Sequence, residues 1–510
     1  MQTDPVNHDF SLPKKQSKKG ILLLALMEIT QIWKQILPLV IVAFFKKSVG
    51  ISIVLAFFVA VLLFFLIRAL LSYYHFTYWV DISTKDFYIK KGILNKSTLV
   101  IKKENIQEVN IHQPFWHKLL GIYQLELDCP GDEGKEFKVQ AITHQEALNL
   151  KFYLQGDNTS VKEDKDVEVY QALEPNRITV SAIIKHGLTS NYTRNFLVFF
   201  VFGGYLFNKV SEFKELIVWE DWIDTKGVES NFHQLDWQSI AILGLGLLIL
   251  MFLFGMVYNI ILSVVKYYDF KIIKNKDFLT LEYGLFSTKS TMLGRSKIQK
   301  IITKQNYFQR KWRISQMEFR QIIKDTDNQS KKILIPACEN KVVDDLQTFV
   351  FSEVPIFNYK IKALKRKLWL LHFKFLLIPI IIFIFASLFY QLHWAILLFY
   401  CVIAEGWVLL KYHNNQLMMN EKQMAVQSGI WDLKTETIAI DNVQIIKMSQ
   451  YFWQKKSGIA SFTVQTAGGN LFFRTISKME VSKIINYCLY KIENKINIDK
   501  IKDEGLDTSC

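Results

Sequence analysis

Residues 92–122 read GILNKSTLVIKKENIQEVNIHQPFWHKLLGI, and the same text returns in altered form as GLFSTKSTMLGRSKIQKIITKQNYFQRKWRI at 284–314 and GIWDLKTETIAIDNVQIIKMSQYFWQKKSGI at 429–459. Each copy opens on a glycine (Gly92, Gly284, Gly429) followed by an apolar pair. A glutamine stands fifteen residues later (Gln107, Gln299, Gln444), and a second six residues after that (Gln113, Gln305, Gln450). Aromatics, a basic residue and an isoleucine then follow in every copy. Three matches without an insertion imply duplication of one structural unit.

Working outward, each copy is preceded by a tyrosine-led run: YYHFTYWVDIS from Tyr73, YYDFKIIKNKD from Tyr267 and YHNNQLMMNEK from Tyr412. Short alternating runs such as Phe87–Lys91 and Ser461–Gln465, broken by Gly or polar turns, predict strands. The closing segments THQEALNLKFYL, ENKVVDDLQTFVF and SKMEVSKIINYCLYKI carry apolar residues at three-to-four spacing and predict one helix each. The unit reads as a small antiparallel β domain capped by a helix.

The text between the copies is of another kind. Half of the 510 residues are hydrophobic and only 21% are charged, which makes membrane insertion the first thing to test. A spanning helix needs about 20 apolar residues, because hydrocarbon leaves backbone polar groups no other partner. Ser48–Ile67 and Trp237–Val265 are uncharged and long enough. Phe375–Ala404 is uncharged with a polar-aromatic centre at Tyr390–Trp394, which predicts two helices joined by a tight turn. The shorter runs Gln35–Phe45 and Asn195–Asn208 complete hairpins with the confident spans if flanking Lys34 and Arg194 snorkel. Six crossings in three hairpins are expected, with four as the alternative.

The formal net charge of +15 sits near membrane ends: Lys14, Lys15, Lys18 and Lys19 before the first hairpin, Lys266, Lys271, Lys274 and Lys276 after the second, and Lys360–Lys367 before the third. By the positive-inside rule these segments face the cytoplasm, and the acid-rich loop 209–237 faces outward. Because topology accounts for the basic residues, nucleic acid is not an expected partner. Five scattered cysteines support neither a disulfide framework nor a zinc site.

The organisation expected is a cytoplasmic tail 1–28, hairpin 29–72, domain 73–155, a charged linker with an amphipathic stretch 156–190, hairpin 191–266, domain 267–355, a basic linker 356–367, hairpin 368–411, domain 412–494 and a tail 495–510. The stretch Ile178–Leu188 is expected to lie on the membrane.

The hairpin-domain order, the tyrosine-led starts, the G-[IL]-[ILFW] turn and the [IV]-Q-x(5)-Q-x-[FY]-[FW] signature together resemble the bacterial pleckstrin-homology-like membrane-flanking proteins of the YdbT-like type, over about residues 34–494. The resemblance implies an α+β membrane protein in which each hairpin is followed by a PH-like β barrel with a C-terminal helix. It also implies a bacterial plasma-membrane location, a non-catalytic scaffolding or inner-leaflet role in the cell envelope, and a smaller PH-like membrane protein as partner. The middle copy departs from the pattern with Arg313 where the others have Gly121 and Gly458.

No P-loop, dinucleotide fingerprint, zincin or nucleophile-elbow motif is present, so no enzyme activity, cofactor or metal is expected. His112 and His117 neighbour each other without a third ligand. The best interaction candidates are the aromatic-basic elements: Trp116 with Lys118, Phe308 with Arg310 and Lys311, and Trp453 with Lys455 and Lys456. Their composition suits a lipid or protein contact, and it equally suits barrel filling beside glutamines that hold a turn. A transporter or channel component is the second reading, with Asn259 and Glu405 as its few intramembrane polar groups. An acid in an apolar helix needs a partner, and depth counting from a turn near Gln391 predicts Lys374 for Glu405.

Overall fold

The computed structural model describes residues 10–27, 51–129 except 82, 85 and 107, 137–155, 175–190, 201, 204, 237–321, 331–389 and 394–506. The crossing expected at 35–45, most of that at 195–208, the loop 209–236, the charged linker 156–174, Gln391 and Gln107 lie outside the described residues. The chain divides into two compact units, the first chiefly Met1–Arg177 with Lys266–Gly294, the second chiefly Ile178–Val265 with Arg295–Ile323 and Asn328–Cys510.

In the first unit, strands β1 (Thr77–Val80), β2 (Phe87–Lys91) and β3 (Ser97–Ile101) form an antiparallel meander. A second meander, β4 (Glu108–Gln113), β5 (Tyr123–Asp128) and β6 (Phe137–Ile142), is followed by the helix His144–Gln155. Alternation puts Tyr78, Val80, Phe87, Ile89 and Ile101 of the first meander into one core with Val109, Ile111, Leu125, Leu127 and Val139 of the second. The helix closes that core with Ala147, Leu148, Leu150 and Leu154, each buried leucine contributing roughly 2 kcal/mol. The expected β domain closed by a C-terminal helix is present, its two meanders belonging to separate sheets. Strands β7 (Asn176–Arg177), β8 (Lys271–Lys274), β9 (Phe278–Tyr283) and β10 (Thr288–Gly294) complete the unit.

The second unit repeats the plan. Strands β11 (Ile298–Gln305), β12 (Ile314–Gln321) and β13 (Lys331–Glu339) precede the helix Asn340–Phe351. Strands β14 (Tyr359–Lys362), β15 (Gln416–Met419), β16 (Gln423–Ser428) and β17 (Leu433–Ala439) are followed by β18 (Val443–Ser449), β19 (Ile459–Thr466) and β20 (Gly469–Ser477), then by the helix Lys478–Leu506. Its core joins Leu417, Met424 and Ile438 to Phe462, Val464, Leu471 and Phe473 under Val481, Ile484 and Cys488.

The glycines that open the copies sit at φ values of 110°, 124° and 122°. A Cβ there would meet the carbonyl oxygen of Asn95, Ser287 or Asp432 at 1.9 Å, so no other residue fits the turn. Arg313 adopts the left-handed conformation of its glycine counterparts, with φ 54° beside 67° at Gly121 and 57° at Gly458. The middle copy therefore keeps the turn, at a cost of about 1 kcal/mol.

Three segments read as tail or linker carry part of the domains. Lys14 pairs with Tyr78 in both directions, at 2.8 and 2.9 Å, and Phe10 joins the domain core. β7 pairs with β8, and β14 with β15. Each piece covers the outer edge of a first meander, whose N–H and C=O groups would otherwise be open. Each domain thus draws paired backbone from both sides of the apolar insert. Ala141 and Thr475, held at positive φ, turn their carbonyls to the amides of Ser17 and Leu364 and fasten the same segments.

Among the described residues, three helices are long and apolar enough to cross a membrane: Ile249–Tyr267, Lys365–Ser387 and Trp394–His413. A helix at Ile51–His75 includes the shorter apolar stretch Val59–His75. The last two long helices form a hairpin in which the Tyr400 hydroxyl donates to the Phe375 carbonyl at 2.7 Å and the Phe383 and Trp394 rings lie 5.7 Å apart. Glu405 is partnered, but by His372 rather than Lys374: its carboxylate oxygens lie 3.0 and 3.1 Å from Nε2. Lys374 instead lies over the Phe375 ring. Two helical steps turn a side chain by about 200°, so the two residues leave the helix on opposite sides.

The segment Val180–Thr189 is a helix that buries Ala182, Ile183, His186, Gly187 and Thr189 against protein. A Cβ on Gly187 would approach the Ile260 Cα to 2.9 Å, and Asn259 donates to the Ser190 carbonyl at 3.2 Å. That face is spent on helix packing, and Asn259 is engaged in it.

Candidate functional site

The aromatic-basic elements fold as short helices between the middle strands, at Phe115–Leu120, Tyr307–Lys311 and Phe452–Lys455. The second glutamine of each copy reaches across its turn. Nε2 of Gln113, Gln305 and Gln450 donates to the carbonyl of Ile122, Ile314 and Ile459 at 3.2, 3.3 and 2.7 Å. The signature spacing thus closes the helical turn onto the next strand. In the second copy a further glutamine, Gln309, completes a capping box with Asn306, and in the third Gln454 Oε1 accepts from the Tyr451 N–H at 3.1 Å. Pro114 in the first copy has no N–H for such a box, and His117 takes the position. Its ring is buried with neither nitrogen partnered, and burial lowers its pKa to about 4.

The first two of these elements lie at joints between copies. In the first unit β4 pairs with β10, setting Gln113 opposite Thr288. The Phe115 ring meets Phe286 at 6.4 Å, and Lys118 Nζ donates to the Leu285 carbonyl at 2.6 Å. In the second unit β11 pairs with β17, setting Gln305 opposite Leu433. Tyr307 and Phe308 meet Trp431 at 5.8 and 5.7 Å. Both joints use one register, in which the second glutamine faces the fourth residue after the glycine. At each joint the aromatic turn of one copy contacts the apolar pair that follows the glycine of the next.

Of the candidate contact residues, Trp116, Lys118, Phe308, Arg310 and Lys311 border these joints with exposed side chains, as Trp453, Lys455 and Lys456 border the β18 edge. Phe115, Phe286, Tyr307 and Trp431 were not among the candidates. Their signal was present in the sequence: the apolar pair recurs as regularly as the aromatics, and two recurring apolar features on one domain are a candidate contact.

The second joint also holds charge. Lys300 of β11, 5% exposed, forms an ion pair with Glu436 of β17, which Lys434 also contacts, and it donates to the Asn470 carbonyl at 2.9 Å. Burial lowers the Lys300 pKa while Glu436 opposes that shift. Nearby on β12, the carboxylate of Glu318 is inaccessible to solvent and is met by Lys304 at 3.1 Å, Arg320 at 2.7 Å and Lys332 at 3.3 Å. Burial disfavours its charge, yet these three cations hold its pKa below the usual range. In the first unit Glu126 likewise overcomes burial through His112 at 2.9 Å and Lys138 at 3.0 Å, which bring it down to about 2. His112 is therefore committed to Glu126. No group of metal-ligating side chains occurs among the described residues.

A family profile described as the bacterial PH domain matches residues 33–157, 238–353 and 373–492, together more than half of the chain. A search of curated proteins found no match. Each matched stretch contains an apolar insert together with the two meanders and closing helix that follow it. The chain belongs to the bacterial PH domain family, which it contains three times over.

Proposed function

We propose that this chain is a non-catalytic, multi-pass protein of the bacterial plasma membrane, with six crossings, that presents its three PH-like domains at the cytoplasmic face as a scaffold for partners or the inner leaflet. The observation that carries the reading is the clamp around each apolar insert. Because Lys14 pairs with Tyr78, β7 with β8 and β14 with β15, the chain enters and leaves each insert on one side of the membrane. An even number of crossings must lie between. Among the described residues the third insert has two helices of sufficient length, the second has one and the first includes the apolar helix Ile51–His75, so parity favours a further crossing in each of the first two. Basic residues around the clamps favour the cytoplasm for that side.

The joints support scaffolding over transport. Copies are joined edge to edge through recurring contacts, whereas Asn259 and Glu405, the polar groups a transport path would need, are engaged by Ser190 and His372. Single cysteines at Glu220 and Lys434 in an otherwise cysteine-free chain test the topology. An impermeant maleimide should modify position 220 in intact cells and position 434 only after lysis; the reverse pattern would sink the reading.

A further inference from the structure

Among the described residues, two strand edges of the type used in the joints have no strand against them. β3 ends the sheet β1-β2-β3, and β18 ends the sheet β18-β19-β20. β3 is the counterpart of β10 and β17, while β18 is the counterpart of β4 and β11. The chain therefore carries at its two ends one edge of each kind that pairs internally. The paired strands β4 and β11 are mostly buried, whereas β18 is mostly exposed.

The flanking contacts are left open in the same way. Phe452 is the counterpart of Phe115 and Tyr307, and Leu94 is the counterpart of Phe286 and Trp431. Phe452 is 78% exposed and Leu94 99%, against 49% and 54% for Phe115 and Phe286. Ile445 and Val100 are also exposed, at 55% and 51%. An edge with open backbone groups and bare apolar side chains is a pairing site unless it is protected. Neither strand contains proline, and the register shift of β18 against β19 at Val443/Ile445 has its counterpart in β11 at Ile298/Lys300, which pairs with β17 all the same. Lys447 is the one charge within either strand, and lysines do not prevent this kind of joint, since Lys304 stands directly opposite Lys434 in β11–β17.

We propose that β18 of one chain pairs antiparallel with β3 of a second copy, in the register of the internal joints. Gln450 then faces Lys96, Met448 faces Thr98 and Ile446 faces Val100. Phe452 packs on Leu94, and Lys455 donates to the Ile93 carbonyl as Lys118 does to that of Leu285. The contact is heterologous, so it propagates into a row or closes into a ring in the membrane plane. It deepens the scaffold reading by naming a second copy as partner, and it rests on that reading for the shared side of the three domains.

Two differently tagged copies of the full-length chain, with native cysteines replaced, test it in native membranes: one carries Met448→Cys, the other Thr98→Cys. Maleimide labelling of each in intact and lysed cells comes first, and opposite-side labelling would refute the shared topology itself. With both positions on one side, a short bismaleimide should give a cross-linked dimer carrying both tags only when the variants are co-expressed. Pairing Met448→Cys with Lys91→Cys, displaced along the edge, should give little product. Leu94→Asp with Phe452→Asp, both at exposed positions, should abolish the dimer and leave the amount of protein unchanged. Same-side labelling without a tag-to-tag product, or cross-linking only to a smaller protein, would overturn the pairing of copies.

Discussion

The two internal joints have one geometry and different chemistry. At β4–β10 three residue pairs are in register, with Lys289 opposite His112, an aromatic turn against Phe286 and a lysine on a carbonyl. At β11–β17 the register covers six pairs, and Lys300 with Glu436 adds a buried ion pair beside the Glu318 cluster. Duplication conserved the part that fixes register, namely the glycine turn, the glutamine brace and the aromatic contact, and left the strand interior free to vary. A buried pair is weak evidence of stabilisation, but removing one partner is costly.

The largest separation of the joints should come from Glu436→Ala, which strands the Lys300 ammonium. It is expected to destabilise the second unit by about 3 kcal/mol or more, with Lys300→Met in addition recovering most of the loss. Hydrogen exchange resolved by segment should show faster exchange in β11 and β17 while β4 and β10 stay protected. Uniform loosening of both joints would contradict their independence.

Acid should separate them next. His117 titrates at about 4 in the folded chain against about 6.5 unfolded, so the unfolded form takes up its proton first as pH falls. The stability of the first unit should therefore decline between pH 6.5 and 4, by about 1–2 kcal/mol at pH 5, an effect absent from the second unit, where Gln309 holds that position. Glu126 adds a lower window: its depressed pKa contributes stability above about 4.5 that is lost as pH falls toward 2. Exchange in β4 and β5 at pH 7 and pH 5, with and without His117→Gln, checks this. Persistence of the pH 7-to-5 change in the variant would assign it elsewhere.

The smallest effect should be that of Phe286→Ala, which removes the ring from Phe115 at the β4–β10 joint. A loss of about 1 kcal/mol is expected, confined to β4–β10. Trp431→Ala should cost more, because that ring meets both Tyr307 and Phe308.

The repeats, their glycine turns and their closing helices were legible because duplication prints the same residues at the same spacing. Gln113, Gln305 and Gln450 were read as turn elements or lipid neighbours, and their carbonyl bonds account for the spacing in structural terms. The clamping strands were not legible. β7 has two residues and β14 four, too few to display a two-residue period. The joints escaped for another reason: strands far apart in sequence meet by their edges, which leaves no local trace. The partner of Glu405 was missed because depth along a helix was counted without its angular position, which selects His372 over Lys374.

The clamped construction has a consequence for biogenesis. In the proposed topology, the first paired segment of each domain leaves the ribosome before the apolar insert, and the strands that must pair with it leave after, so no domain can close until its insert has been delivered to the bilayer and the chain has returned. A misinserted helix would strand the two halves of a domain on opposite faces of the membrane, with their apolar cores open to quality-control proteases. If the proposed topology holds, folding of each domain reports on the insertion of its own apolar segment, one such check for each of the three domains.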